Sequence, residues 1–377
     1  MIFKKKHDLL RKAVRDFVER ELKTLPEEMD KTGVMPRELM DKLAKHKFTS
    51  SVIPEEYGGA GSDYVSYVVI MEEINKVCAS TGTFVTAGSS LVSLPILNYG
   101  TKEQKEKYLK KIATGEFIGA FGLTEPGAGS DAAAQQTTAE LKGDHYILNG
   151  RKTFITNAPI CDLAIVIAVT DRTKGLKGTS AFIVERNWEG FSVGAHEDKM
   201  GIRGTQTSDL IFENVKVPKE NLIGKEGIGF KIAMNTLDVG RIGVAAQALG
   251  VAQGALDQAV KYTKERIQFG KRISDFQNTK FTLADMQTKV SAARELIYGA
   301  AQKKDEGLPV GMESAMAKYY AAEVANEVAY KALQMHGGYG YIKDYPIERM
   351  YRDARILSIY EGTSEVQKMV ISANILN

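Results

Sequence analysis

Glu361 stands between Tyr360 and Gly362, just ahead of a predicted helix start, and is the carboxylate whose setting could best make it a base. In open water a Glu is fully ionised and only weakly basic at neutral pH. Enclosure raises its pKa toward the roughly 6 to 7 that suits proton abstraction near neutrality. The same position also suits a structural carboxylate drawn to the positive end of a helix dipole, and the local sequence leaves both readings open.

A second chemistry-bearing stretch is Phe121-Gly-Leu123-Thr124-Glu-Pro-Gly-Ala-Gly129-Ser130-Asp131. Gly127 and Gly129 let backbone N–H groups approach an anion without a Cβ in the way, and Thr124 and Ser130 add hydroxyl donors. That suits a pyrophosphate or a flavin edge, and equally a bare turn. Gly127 to Ala132 has the GxGxxA spacing of a dinucleotide fingerprint, which requires a strand running into the first glycine and a helix after the last. Pro126 abuts that first glycine and hairpin chemistry follows, so the spacing argues for no Rossmann unit; no GxxxxGK[ST] occurs either. Asp238-Val-Gly240-Arg241 reads as the opening of a long helix, where it could meet a polar substrate tail or simply be surface charge. Arg266 with Phe269 and Gly270, like Gln334 with Gly337 and Gly338, offers groups able to meet a nucleotide.

The elements that must position these residues fall into three units. From about residue 7 to 118 apolar residues recur at helical spacing, with breakers at Gly58 to Gly61, Pro95 and Gly115, so residues 1–118 are predicted to be an all-helical domain. Residues 119–224 are predicted to be a small antiparallel β domain: His145 to Thr156 carries Asn149-Gly150 at its middle, a type I′ hairpin signal, and Leu163 to Val169, Thr179 to Val184 and Ser208 to Phe212 add β-rich runs. Residues 225–377 return to the helical period, as in the row Tyr320, Val324, Val328 and Ala332 closed by Gly337, and are predicted to be a helical bundle. Pro346 can open one further helix, and Ser364 with Gln367 has the capping-box spacing for the last. The fold class is therefore α+β, mainly α.

Composition bounds the rest. Hydrophobic residues at 44% and charged residues at 26% are those of an ordinary globular chain, and a net charge of +3 does not suggest nucleic-acid binding. The longest apolar run, Leu163 to Val169, would cross a sheet and not a bilayer. Cys78 and Cys161 form no CxxC pair and the five histidines no metal spacing, so neither a disulfide framework nor a metal site is expected. The start at Met1 runs into a charged amphipathic pattern and not an apolar signal core, so a reducing, cytoplasmic setting is expected.

Taken together and in order, FGLTEPGAGSD (121–131), NGRKTFITNA (149–158), MGIRGTQTSDLIFENVKVP (200–218), LDVGRIGVAAQALG (237–250), ERIQFG (265–270), QMHGGYGY (334–341) and IYEGTSE (359–365) resemble the acyl-CoA dehydrogenase family along essentially the whole chain. The resemblance implies a helical, β, helical subunit, normally a homotetramer, that binds FAD without a Rossmann domain. By the same resemblance Phe121, Leu123, Thr124, Gly129, Ser130, Phe154, Ile155 and Thr156 line the flavin. Thr363 and Glu365 approach its adenosine half, and Arg266, Phe269, Gln277, Gln334, Gly337 and Gly338 reach the FAD of a neighbouring subunit. Ser130, Asp238, Gly240, Arg241, Tyr360 and Gly362 fall at acyl-CoA-contacting positions, and Glu361 at that of the base that takes the α-proton while FAD accepts the β-hydride. Electrons would pass to electron-transfer flavoprotein.

In the isovaleryl and long-chain branches the base sits at the position of Gly240, which has no side chain to titrate, so Glu361 is the remaining candidate. Glutaryl-type relatives carry an arginine in the stretch matching Cys78 to Asn98. Here that stretch has no Lys or Arg, which disfavours a dicarboxylic substrate. Phe154 replaces a tryptophan common in relatives. The similarity is greatest to short-chain, butyryl-type members, so dehydrogenation of a short acyl-CoA is expected. The reverse enoyl-CoA reduction and an oxidase of the same fold are the alternatives.

Overall fold

Residues 4–376 are described by the computed structural model; Met1 to Phe3 and Asn377 lie outside them, and with them the expectation placed on the Met1 start. The helical spacing of the first third becomes α1 (Lys5–Phe17), α2 (Pro26–Thr32), α3 (Arg37–Lys45), α4 (Tyr64–Asn75), α5 (Ala79–Thr86), α6 (Ser93–Tyr99), α7 (Lys102–Gln104) and α8 (Lys110–Thr114). Pro95 does not end the helical path: it lies within α6, which continues from the helical residues before it. A wider i→i+5 turn over Ala87–Val92 joins α5 to α6.

Val68, Val69, Ile70, Met71 and Ile74 are buried all round α4, because it runs between α1 and two helices of the last unit. Burying it also buries Glu72 and Glu73, and buried carboxylates require partners. Glu72 accepts from Arg11 at 3.1 Å, Tyr298 at 2.7 Å and Arg294 at 2.9 Å; Glu73 accepts from Arg11 at 2.6 Å, Arg15 at 2.9 Å and Lys76 at 2.9 Å.

The middle unit comprises β1 (Gly119–Gly122), β2 (Thr138–Lys142), β3 (His145–Thr156), β4 (Leu163–Val169), β5 (Thr179–Glu185), β6 (Phe191–Val193), β7 (Thr207–Pro218) and β8 (Leu222–Ile223). Its sheet runs β6-β7-β3-β2-β4-β5-β8 with β1 parallel to β4, so it is mixed and not purely antiparallel as expected. The unbroken apolar run of β4 has a direct cause. Ala164, Val166 and Ala168 face a core within the sheet, while Leu163, Ile165 and Ile167 face helical residues such as Ile96, Leu109 and Ile232.

The hairpin expected at Asn149-Gly150 is absent. β3 is one strand, paired along its length with β7, and the Asn-Gly pair forms a bulge there, with the Asn149 carboxamide bonded to Asn214 at 3.1 Å and 2.7 Å. The turn that reverses the chain is at Gly143, whose φ is +65°. A second register shift between Lys152 and Ile155 throws Phe154 outward with φ +58°.

The last unit holds α9 (Gly229–Glu265), a short hairpin of β9 (Ile267–Gln268) and β10 (Lys271–Arg272), then α10 (Gln277–Asp305), α11 (Gly311–His336), α12 (Ile347–Arg355) and α13 (Ser364–Leu376). Asp238 to Arg241 do not open α9; they lie beyond its second turn, since the helix begins at Gly229. Nor is Ser364 the cap of α13: the Val366 N–H is bonded by Thr363 Oγ1 at 3.2 Å, and the Ser364 hydroxyl donates to Glu323 at 2.6 Å.

Burial opposes ionisation of Glu72 and Glu73, yet their cations hold both below the ordinary carboxylate range. Depressed in this way, they stabilise the fold fully above the unfolded value of 4.5 and lose that contribution as the pH falls. At neutral pH, Glu72→Ala should cost about 3 kcal/mol, seen as an earlier urea midpoint. An unchanged midpoint would mean that the network does not join α1, α4 and α10.

Candidate active site

Between α12 and α13 the chain makes two consecutive left-handed residues, Glu361 with φ +52° and Gly362 with φ +92°. A glutamate pays for that conformation, so the loop must be held by its surroundings. The Tyr360 hydroxyl donates to Gln247 of α9. Gln367 Nε2 donates to the Glu361 and Gly362 carbonyls at 3.2 Å and 2.9 Å, and Lys318 of α11 donates to the Gly362 carbonyl at 2.6 Å. Among the described residues, the Glu361 backbone N–H has no hydrogen-bond acceptor.

The loop thus aims the Glu361 carboxylate inward, where Oε2 is buried without a partner. Burial pushes the carboxyl up to about 7, against the pull of Lys318 and Arg241. Gly240 of α9 lies opposite: a Cβ there would strike Glu361 Oε2. The position that carries no base is therefore what makes room for this one.

Glu361 faces a cleft of about 320 Å³. One wall is Phe121, Leu123, Thr124, Gly129 and Ser130 with Phe154, Ile155 and Thr156. The other is Thr83, Thr86, Ala87 and Leu91, completed by Leu237 and Arg241 of α9 and by Tyr360 and Gly362. Hydroxyls behind it are already satisfied: Tyr67 bonds Thr86 at 2.8 Å, and Gln247 Nε2 bonds Thr83 at 2.9 Å. Arg241, with a side chain 5% exposed, is held by Asp238 at 2.6 Å and keeps an unpartnered Nε.

The residues fit FAD. Phe154 presents its ring 66% exposed at the cleft in a backbone conformation that sterics disfavour, and nothing lies within 4 Å of where a side chain at Gly127 or Gly129 would stand. The loop is anchored from beneath by a buried pair. Lys152 Nζ donates to Glu125 at 2.7 Å and to the Leu123 carbonyl at 3.0 Å, while Glu125 accepts from the Gln136 and Thr137 N–H groups at 2.5 Å and 3.0 Å.

Not all the sequence-derived residues meet here. Asp238, Gly240 and Thr363 stand directly behind the lining, and Glu365 is exposed on α13. Arg266, Gln334, Gly337 and Gly338 line a second pocket of about 500 Å³ that shares no lining residue with the first. Phe269 is 92% exposed at the β9–β10 turn and Gln277 exposed at the start of α10. Sequence reading missed Thr83, Thr86, Leu91, Gln367 and Lys318. The first three carry no chemical signature, but Lys318 could have been noticed as a charge on the apolar face of α11.

Family models describing the acyl-CoA dehydrogenase N-terminal, middle and C-terminal domains match residues 4–116, 120–215 and 227–376. The chain is 56% identical to the 3-(aryl)acrylate reductase of Clostridium sporogenes and 54% identical to the caffeyl-CoA reductase-Etf complex subunit CarC of Acetobacterium woodii, with 100% of each chain covered. The structure of butyryl-CoA dehydrogenase from Megasphaera elsdenii superposes with a TM-score of 0.98 at 48% identity, again covering 100% of both chains.

Lys152→Met leaves Glu125 buried without its cation and should loosen the 121–131 loop. Gel filtration followed by flavin absorbance should then show substantial loss of FAD from a protein that keeps its helical circular dichroism. Full retention of flavin would remove the pair from the account of the site.

Proposed function

Because the chain belongs to the acyl-CoA dehydrogenase family of FAD-dependent oxidoreductases, we propose that it interconverts a short saturated acyl-CoA and its trans-2-enoyl-CoA, with Glu361 carrying the α-proton. The observation that carries this reading is the half-buried Glu361 carboxyl beside the cleft, whose Oε2 is buried without a partner, a setting that pushes its pKa up to about 7. Near neutral pH such a group is ionised often enough to take a proton and protonated often enough to return one.

The unpaired Glu361 N–H is a donor for the thioester carbonyl, whose oxygen gains enolate character as the α-proton leaves. A preorganised donor of this kind is worth about 2.7–4 kcal/mol. Bound FAD supplies the hydride acceptor at the β-carbon, and Phe121, Leu123, Thr124, Gly129, Ser130 and Phe154 to Thr156 would hold it. Arg241, held from behind by Asp238, meets the polar end of the substrate, while Thr86, Leu91 and Tyr360 bound the acyl end. The uncharged residues at the acyl end support an acyl group with no terminal carboxylate. Electron-transfer flavoprotein is the partner this reading implies. Exposed Phe269 and the second pocket support completion of the cofactor site in a homotetramer, through Arg266, Gln277, Gln334, Gly337 and Gly338.

A second reading, enoyl-CoA reduction in the cell, is favoured by one observation: two relatives above 50% identity are named as reductases, one of them a subunit of a complex with Etf. The same proton carrier serves both directions, and the potential of the electron partner decides between them.

Anaerobic mixing with acyl-CoAs of increasing length should bleach the flavin fastest with butyryl-CoA, and Glu361→Gln should slow bleaching about 1000-fold. A preference for dodecanoyl-CoA would defeat the short-chain reading; an unimpaired Glu361→Gln would defeat the base. The pH dependence has a definite sign. Dehydrogenation needs ionised Glu361 and should rise through about pH 7, whereas enoyl reduction needs the protonated form and should fall over the same range, as stopped-flow rates in both directions would reveal.

A further inference from the structure

Lys318 has 0% exposure and lies on the face of α11 that also buries Ser314, Ala315, Ala321 and Ala322. An ammonium stripped of water needs compensation, and one carbonyl, that of Gly362 at 2.6 Å, supplies only a dipole. The charge that most favours ionised Lys318 is Glu361, which has no hydrogen-bond partner for its Oε2.

The other charges around the pair act on it more weakly or hold other partners. From α9, Arg241 is bonded to Asp238; from α11 itself, Glu323 takes the Ser364 hydroxyl; from α13, Glu365 is exposed. Tyr67 of α4 and Tyr360 of the loop face the carboxylate as phenols that burial keeps neutral. Lys318 is thus the larger of two cationic pulls on Glu361, with Arg241 second, and it stands across the turn that it holds.

We propose that Lys318 is a positioning residue of the reaction: through the Gly362 carbonyl it holds the left-handed turn at Glu361 and Gly362, and its ammonium is the counterion of the ionised Glu361 carboxylate. The inference rests on the reading of Glu361 as the proton carrier. Lysine suits both roles because its compact ammonium can turn one N–H to a carbonyl while its charge acts on a neighbour. Burial lowers Lys318 itself to about 8, against the charge of Glu361, which favours the ammonium.

The test is infrared titration of the holoenzyme, following the carboxyl band that disappears in Glu361→Gln, in parallel with the pH dependence of flavin bleaching by butyryl-CoA. Lys318→Met removes the charge at similar volume. Its carboxyl midpoint should move up by about one pH unit, with the bleaching profile moving equally. Lys318→Gln keeps a donor for the carbonyl without the charge; it should show the same upward movement and carries the test if the Met variant does not accumulate with flavin. A wild-type midpoint in whichever of these holoenzymes is obtained overturns the role of Lys318. Unimpaired bleaching by Glu361→Gln would overturn the proton-carrier reading instead, so the two failures are distinguishable.

Discussion

The structure turns on a half-buried carboxyl group whose inner oxygen is left without a hydrogen-bond partner. Glu361 Oε2 forgoes both water and a donor, an arrangement that ordinary folding would relieve by letting the loop swing out or by supplying a donor. The loop cannot swing out because α9, α11 and α13 each grip it, through Gln247, Lys318 and Gln367. No donor reaches Oε2 because the side chain opposite it is missing, at Gly240. Rigidity in three helices is thus converted into basicity in one side chain.

The β unit answers with a comparable expense. Phe154 is placed by a register shift in β3 and a backbone conformation that costs energy, and the loop beside it is fixed by an ion pair buried beneath it. Strain and buried charge concentrate on the two walls of one cleft, whereas the sheet behind one of them is an ordinary apolar core. That distribution is what a preorganised site requires: the walls are shaped during folding, and no reorganisation remains for the reaction to supply.

Much of this was legible from the residues. β4 announced itself by an apolar run and α11 by its row of Val324, Val328 and Ala332, because burial on two faces or on one leaves a period in the sequence. The glycine-rich loop and Glu361 were identifiable by chemical type. Misreadings arose where a local preference met a tertiary one. Asn149-Gly150 has turn chemistry, but pairing with β7 keeps it in a strand; Ser364 has cap spacing, but Glu323 draws its hydroxyl away and Thr363 does the capping. One wall of the cleft was invisible, since Thr83, Thr86 and Leu91 look like any helix interior until the fold brings them beside Glu361.

The central claim is that the Glu361 carboxylate removes a proton from the carbon next to the thioester. It can be isolated from hydride transfer with 3-thiabutyryl-CoA, whose β-position is sulfur and has no hydride to give. Incorporation of solvent deuterium at its α-carbon, followed by NMR on the flavin-loaded protein, should be rapid in the parent and lost in Glu361→Gln. Equal exchange in the two proteins would contradict the account.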